Sequence, residues 1–303
     1  MSVDVAVLYV VIGFAAGVLS TSFGIGGGAL STPSIRAMGI TALFAIGTTL
    51  PSVLPGVITG MYGYRGRRLV RYDVVAIIAP TGIMAAIGGS FFSHRIPGNG
   101  HLLMLATAAI LMMNAIQMAR PRPRSREKDS MEVCGARLGD SASTRGEAVQ
   151  TLSVTRSDQS DAPLIVVQDY LEEPDMRNFG SVAVLAGTGV LAGLISGLLG
   201  LGGGIALVPI LAGRIGLSLR QATATSLVCV GVLAVPSILA HSIIGDINWP
   251  VAGLLTLGTI PGARLGASVA LKMSEAWLRR SAAGVLSVIS LVYAVSEILA
   301  LLR

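Results

Sequence analysis

The chain has 303 residues, of which 52% are hydrophobic, 13% charged and 5% aromatic, with 38 glycines, a mean hydropathy of +0.74 and a formal net charge of +6. Soluble domains carry about 25% charged residues, so this composition excludes an ordinary cytosolic enzyme. The positive charge invites a nucleic-acid reading, but that needs a polar basic surface, which so apolar a chain lacks.

Runs apolar enough to cross a bilayer need about 20 residues. In chain order the candidates are residues 3–22, 41–61, 73–93, 101–119, 180–199, 222–244, 249–271 and 281–302. The first run has no basic n-region and leads into a motif that recurs later, so it reads as a retained span, not a cleaved signal peptide. Two short apolar pieces, 29–37 and 205–215, each follow a glycine cluster and are too brief to span. Such pieces read as re-entrant or half helices, which a membrane accepts only where they are buried in protein or line a cavity. The fold class expected is an all-α membrane protein of about eight transmembrane helices, in two repeated four-helix halves with Gly-broken segments.

The charges divide the chain into two materials. Residues 120–178 hold nine basic and eleven acidic groups and lack apolar periodicity, so they read as a largely disordered loop, with a short strand at Leu164–Val167 as an option. The remainder keeps 13 basic groups against five acids: Asp4, Asp73, Asp246, Glu275 and Glu297. The expected domains are therefore a first membrane repeat (1–119), a charged cytoplasmic loop (120–178) and a second membrane repeat (179–303). The positive-inside rule puts Arg65, Arg67, Arg68 and Arg71 in the cytoplasm, and the Arg120–Lys128 cluster on the same side. Under a plain eight-span count Arg214, Arg220, Lys272, Arg279 and Arg280 then face outward. Either the second half is inverted through an extra crossing, or the charge bias is weak there.

Self-comparison supplies the strongest signal. Gly17-Val-Leu-Ser20-Thr-Ser-Phe-Gly24-Ile-Gly26-Gly27-Gly28 through Pro33 aligns with Gly193-Leu-Ile-Ser196-Gly-Leu-Leu-Gly200-Leu-Gly202-Gly203-Gly204 through Pro209, at a constant offset. One residue further in register, Thr41, Ala45, Thr48, Thr49 and Leu50 match Ser218, Ala222, Thr225, Ser226 and Leu227, and Gly89 matches Gly266. Each glycine costs a helix about 1 kcal/mol relative to alanine, so these runs favour helix breaks. A break frees N–H groups and exposes a helix N-terminus, which attracts anions. Two breaks, one from each half, could flank one anion, with Ser20, Thr21, Ser22 and Ser196 close by. The alternative role for glycine is close helix packing, for which Gly13/Gly17, Gly189/Gly193/Gly197 and Gly258/Gly262/Gly266 have the right spacing. A dinucleotide fingerprint is excluded: no strand precedes either run, and no acidic residue follows about 20 residues later.

At these residues the chain resembles the TauE/SafE family of membrane permeases, also called the toluene-sulfonate uptake permease family. The resemblance rests on SFGIGGGALSTP and GLLGLGGGIALVP, on AIGTTL and ATATSL after them, and on PGARLGA, and it covers both halves but not residues 120–178. It implies a secondary carrier, commonly an exporter, for small organosulfur or sulfur oxyanions such as sulfite, sulfoacetate or other sulfonates, in a cell (inner) membrane and with no enzymatic activity.

The expected substrate site comprises Ser20, Gly24, Gly26, Gly27, Gly28, Thr48 and Thr49 from the first half and Ser196, Gly200, Gly202, Gly203, Gly204, Thr225 and Ser226 from the second, plus Arg264. Thr223 joins the hydroxyls that line a pathway or bond back to their own helix. Arg264 is the basic residue deepest in a predicted span, so it is read either as a counter-charge for the anion or as a partner of Glu297 or the interface. His241 is read as an interfacial residue or a proton acceptor, and Asp73 and Asp246 as helix caps. Cys134 and Cys229 form no disulfide or metal pattern, no Walker motif is present, and no acidic pair or His/Cys cluster lies within the spans. No cofactor, no metal, no catalytic residue and no nucleic-acid partner are expected. The partners are a small anionic substrate and the lipid bilayer, and homo-oligomerisation is compatible with both. The rivals are an anion channel and a membrane assembly factor acting through the central loop.

Overall fold

The computed structural model describes residues 3–64, 69–95, 100–119 and 179–301. Those residues form ten helices and no strand: α1 (Val3–Phe23), α2 (Gly28–Ala37), α3 (Ala42–Tyr64), α4 (Tyr72–Ser93), α5 (His101–Ala119), α6 (Phe179–Leu199), α7 (Gly204–Gly213), α8 (Leu219–Ile244), α9 (Trp249–Lys272) and α10 (Glu275–Leu301). Eight are long and apolar enough to cross a membrane; α2 and α7, at ten residues each, are not. The chain divides into a helical body, Met1–Ala119 with Pro174–Arg303, and the segment Arg120–Glu173. The strand expected at Leu164–Val167 and the charged loop lie outside the described residues.

Local chemistry explains the boundaries that differ from the apolar runs. α8 starts three residues early because Ser218 and Gln221 form a capping box. Gly245, at φ 90°, ends it, and Asn248 caps α9 by accepting from Val251 N–H. α10 begins at Glu275, so its first turn carries charge ahead of the apolar run.

The glycine spacings named for packing do pack. A Cβ added to Gly13 would strike the Leu255 carbonyl, one on Gly17 the Thr259 carbonyl, and ones on Gly258 and Gly262 the carbonyls of Val10 and Phe14. α1 and α9 therefore touch backbone to backbone and run parallel. Gly189, Gly193 and Gly197 of α6 likewise meet the carbonyls of Ile78, Gly82 and Ala86 of α4, again in parallel. Dispersion gained by such close approach drives helix association where lipid removes the hydrophobic term. α3 runs parallel to α9 (Gly56 against Thr259, Gly63 against Ala267) and antiparallel to α8 (Gly231 against Val57, Gly60 against Leu227). α5 and α10 are antiparallel, linked by Arg279 Nε to Met118 O and Ser290 Oγ to Ala108 O, both 2.8 Å.

Gly82 and His94 on the α4 side meet Leu233 and Asp246 on the α8 side, so α4 and α8 are parallel, and Gly100 before α5 meets Ala42 at the start of α3; with these links the pairings give a direction to every long helix. α1, α3, α5 and α9 run one way; α4, α6, α8 and α10 run the other. Because α1 and α3 share a direction, the chain from Gly24 to Thr41 must return between them. Ile35 of α2 accordingly packs with Tyr9, Ala45, Val251 and Leu255, near the starts of α1, α3 and α9. α7 does the same between α6 and α8. The count of eight spanning helices stands, and the two returns change only how their directions alternate along the chain. Arg71, Arg214, Arg220, Lys272, Arg279 and Arg280 all fall at one end of the bundle, where α4, α8 and α10 start and α9 stops. Of the two alternatives posed by the charges, the helix directions favour inversion.

Candidate functional site

The two glycine runs break the helices where the sequence pattern placed the breaks. Gly24 (φ 68°) and Gly26 (φ 89°) turn the chain out of α1, and Gly200 (φ 67°), Gly202 (φ 76°) and Gly203 (φ 73°) turn it out of α6. Residues other than glycine pay roughly 1–2 kcal/mol for this left-handed backbone. Gly27 departs from the pattern: it is right-handed, at φ −65°, whereas its counterpart Gly203 is left-handed.

The breaks lie against each other. A Cβ on Gly26 would meet the Leu201 carbonyl, one on Gly28 the Gly200 carbonyl, one on Gly204 the Gly24 carbonyl, and one on Gly202 would stand 3.9 Å from Gly26 Cα. The start of each short helix thus faces the carbonyl that ends the opposite long helix. The first N–H groups of a helix have no intrahelical acceptor, so here two positive ends lie close to two sets of carbonyls. Beside Gly26 and Gly27 lies an apolar crevice against Phe23, Ile25, Leu286 and Ile289.

Most of the predicted hydroxyls are engaged in structural bonds. Thr48 Oγ1 accepts from Asn248 N–H (2.9 Å), and its counterpart Thr225 Oγ1 accepts from Arg71 N–H (3.1 Å). Each thereby pins the residue that precedes a long helix of the other half. Ser226 Oγ donates to Gly24 O (2.8 Å), Thr49 Oγ1 donates to Ile46 O (3.0 Å) and lies 3.1 Å from Thr32 Oγ1, and Ser196 Oγ lies 3.2 Å from Ser237 Oγ. Ser20 is buried near the end of α1. Thr223 Oγ1 is different: it is buried beside Gly24 and has no hydrogen-bond partner among the described residues.

Three sequence expectations change. Arg264 lies on the exposed outer face of α9 with Ile260, Pro261, Leu265 and Ser268, and is not brought to the breaks. α9 turns its glycines, Gly258, Gly262 and Gly266, to α1, which leaves Arg264 on the opposite side. Asp73 is not the N-cap residue, a position held by Arg71: it sits in the first turn of α4, where its carboxylate accepts backbone N–H bonds of that turn and pairs with Arg71 (2.8 Å) at an exposed position. Asp246 is not a cap either, because Asn248 caps α9.

Across residues 9–293 the sequence matches the family model Sulfite exporter TauE/SafE. The chain belongs to the TauE/SafE family. It is 28% identical over 281 residues to "Probable membrane transporter protein MamO" of Paramagnetospirillum magneticum, an alignment covering 87% of this chain but only 40% of that longer protein. It is 25% identical to "Probable membrane transporter protein YunE" of Bacillus subtilis, covering 88% and 89% of the two chains. It is 24% identical to "Probable membrane transporter protein MJ0441" of Methanocaldococcus jannaschii, covering 94% and 93%. No solved structure matches. The protein is a multi-pass membrane protein of a transporter family.

Within this family member the fold assembles one ionisable cluster that reading along the chain missed. Asp246 Oδ2 lies 2.8 Å from His94 Nε2 and 3.3 Å from His241 Nδ1, and His241 Nε2 lies 3.2 Å from the Gly197 carbonyl. His241, taken as interfacial from its place near a span end, is fully buried. Gly245 brings this about, because its left-handed turn folds Asp246 back so that Asp246 N–H donates to His241 O (3.1 Å). The absence of a His cluster in any one span was true of the sequence; three chain segments supply the cluster.

Proposed function

We propose that the protein is a secondary carrier that exports small organosulfur or sulfur oxyanions, such as sulfite or sulfonates, across the cell (inner) membrane, without enzymatic activity. On this reading residues 1–119 and 179–303 are inverted repeats joined by a cytoplasmic loop, and the arginine-rich end of the bundle faces the cytoplasm. The observation that carries it is the reciprocal contact of the breaks, with Gly28 against Gly200 O and Gly204 against Gly24 O.

An anion held there takes the place of these carbonyls before the starts of α2 and α7, which bear the helix partial positive charge. Thr223 Oγ1 beside Gly24, unpartnered among the described residues, adds a hydroxyl donor. Because the breaks touch, the anion binds only when one half moves from the other, which is what alternating access around a fixed site requires. A continuous pore suits this packing less well. Arg264, on the outer face, is left out of the proposed site.

The test is flux of sulfite and of sulfoacetate in proteoliposomes under imposed pH and voltage gradients. Saturable flux of either at carrier turnover rates supports the reading. No flux of any sulfur oxyanion overturns it, and conductance far above carrier turnover replaces it with a channel.

A further inference from the structure

We infer that the transported anion is coupled to a proton, bound at the His94–Asp246–His241 cluster. This inference rests on the carrier reading above and adds the coupling ion to it.

The chain has only three histidines, and two of them converge on one carboxylate oxygen. His241 faces acceptors on both sides, the Asp246 carboxylate at Nδ1 and the Gly197 carbonyl at Nε2. A neutral imidazole has one N–H and so satisfies one of them; the imidazolium satisfies both. His94 offers a second position. Its Nε2 meets Asp246, and its Nδ1 lies 3.2 Å from Ser93 Oγ, which also lies 2.7 Å from Ser90 O. When His94 gains a proton, Ser93 accepts from Nδ1 and keeps its own proton for Ser90 O. When His94 is neutral, Ser93 turns to donate to it. The cluster therefore has hydrogen-bonded arrangements that differ by one proton, and imidazole titrates near neutral pH.

The elements packed around the cluster bring few other ionisable groups to it. α6 presents only the Gly197 carbonyl and contains no ionisable side chain. α3 presents Gly47, against the Asp246 backbone, and Thr48, bonded to Asn248 N–H. α9 has no charged side chain before Arg264. Asp4, Tyr9, Arg36, Arg95 and His101 are other charged or titratable groups at this end of the bundle, where α10 also ends with Glu297 in its sequence. His94 keeps 30% of its side chain exposed and His241 none, so the cluster leads from the surface to the interior.

Its position links protonation to the breaks. Gly197 lies one turn before Gly200, so the bond from His241 Nε2 holds the last turn of α6. In the first half the aligned contact is made by Tyr64, whose hydroxyl donates to Thr21 O (2.7 Å), one turn before Gly24. Each break is thus latched by an aromatic donor from the helix aligned with that of the other half, but phenol does not titrate near neutral pH and imidazole does. Only the latch of α6, at the end away from the arginines, responds to a proton.

The experiment uses the full-length protein and two readouts. In detergent, isotope-labelled histidine followed by NMR should show His241 passing between a form with one ring N–H and a form with two, and Asp246→Asn should change the balance between them. In proteoliposomes, sulfoacetate is the probe because its own charge is constant over this range. A one-unit pH gradient should drive roughly tenfold accumulation per coupled proton in the wild type. In His241→Gln, whose amide still donates to Gly197 O, accumulation should fall to onefold while gradient-free exchange becomes flat across pH. His241→Tyr, which copies the first half, is the second variant and should behave alike. A His241 that does not titrate, or a His241→Gln protein that still accumulates sulfoacetate with the pH gradient, overturns the proposal. If the wild type moves no sulfur oxyanion in either mode, the carrier reading fails instead, and the NMR titration alone decides whether the proton site exists.

Discussion

Alanine at four glycines of the breaks separates their roles, because the four differ in what a methyl group would meet. At Gly27 the backbone is right-handed and the nearest neighbours are Val53 Cγ2 at 3.8 Å and Ala16 O at 4.0 Å. Gly27→Ala should therefore fold, with a gain of about 0.4–1 kcal/mol from the less flexible unfolded chain. At Gly28 and Gly204 the backbone is helical, but the methyl points at the carbonyl of the opposite break. These wedges cost about 1–3 kcal/mol without backbone strain. At Gly203 the methyl meets Ala192 O and φ is 73°, so the same cost adds to roughly 1–2 kcal/mol of left-handed strain. The expected order of melting temperature in detergent is Gly27→Ala highest, then Gly28→Ala and Gly204→Ala together, then Gly203→Ala, at about 2–4 °C per kcal/mol. Flux in proteoliposomes should fall with the wedges and persist in Gly27→Ala. Equal melting temperatures for Gly27→Ala and Gly28→Ala would show that the breaks are not in contact, and would remove the geometric basis of the site.

Other positions give sharper single tests. Thr48→Val and Thr225→Val each strand a backbone N–H, of Asn248 and Arg71 respectively, and should each cost about 1–3 kcal/mol in thermal or denaturant unfolding. Gly258→Ala should lower the melting temperature through its clash with Val10 O, whereas Gly253→Ala, which meets nothing within 4 Å, should raise it slightly. Arg264→Gln should leave sulfoacetate flux within about twofold of wild type, since the side chain lies on the outer face; a loss of a hundredfold or more would restore it as a counter-charge. Single cysteines at Arg214 and Lys272 should label from the cytoplasmic side and one at Arg95 from the other, in a background lacking Cys134; labelling of Arg214 and Arg95 from the same side would refute the inverted arrangement.

Much of this architecture was legible in the sequence because membrane spans and glycine breaks are local signals. Twenty apolar residues in a row mark a crossing wherever they occur, and GIGGG and GLGGG mark breaks by backbone chemistry alone. What a residue faces is not local. Thr48 and Thr225 read as pathway hydroxyls, yet each is taken up by a backbone N–H that arrives from the other half. Arg264 reads as deep in the protein because it is deep along its helix; only the partners of Gly258, Gly262 and Gly266 show which side of α9 it occupies. Asp246 reads as a cap because it precedes a helix, but the turn at Gly245 directs it to His241 instead. His94 carried no signal at all, since its partners lie about 150 residues away in the chain.

The aligned latches show where the two halves differ in kind. Tyr64 and His241 occupy aligned places and hold the carbonyls of Thr21 and Gly197, one turn before each break. If both latches were phenols, the two breaks would respond alike to pH and nothing at this level would couple a proton to movement. On the proposed coupling, imidazole at one latch only lets a proton bias one end of the bundle, since a ligand that distinguishes two states shifts their populations by its differential affinity. The asymmetry of Asp246 against its aligned residue Leu69, which is buried and apolar, points the same way. On the carrier reading, inversion supplies two equivalent gates, and the replacement of one aromatic donor by another makes a single gate sensitive to the proton.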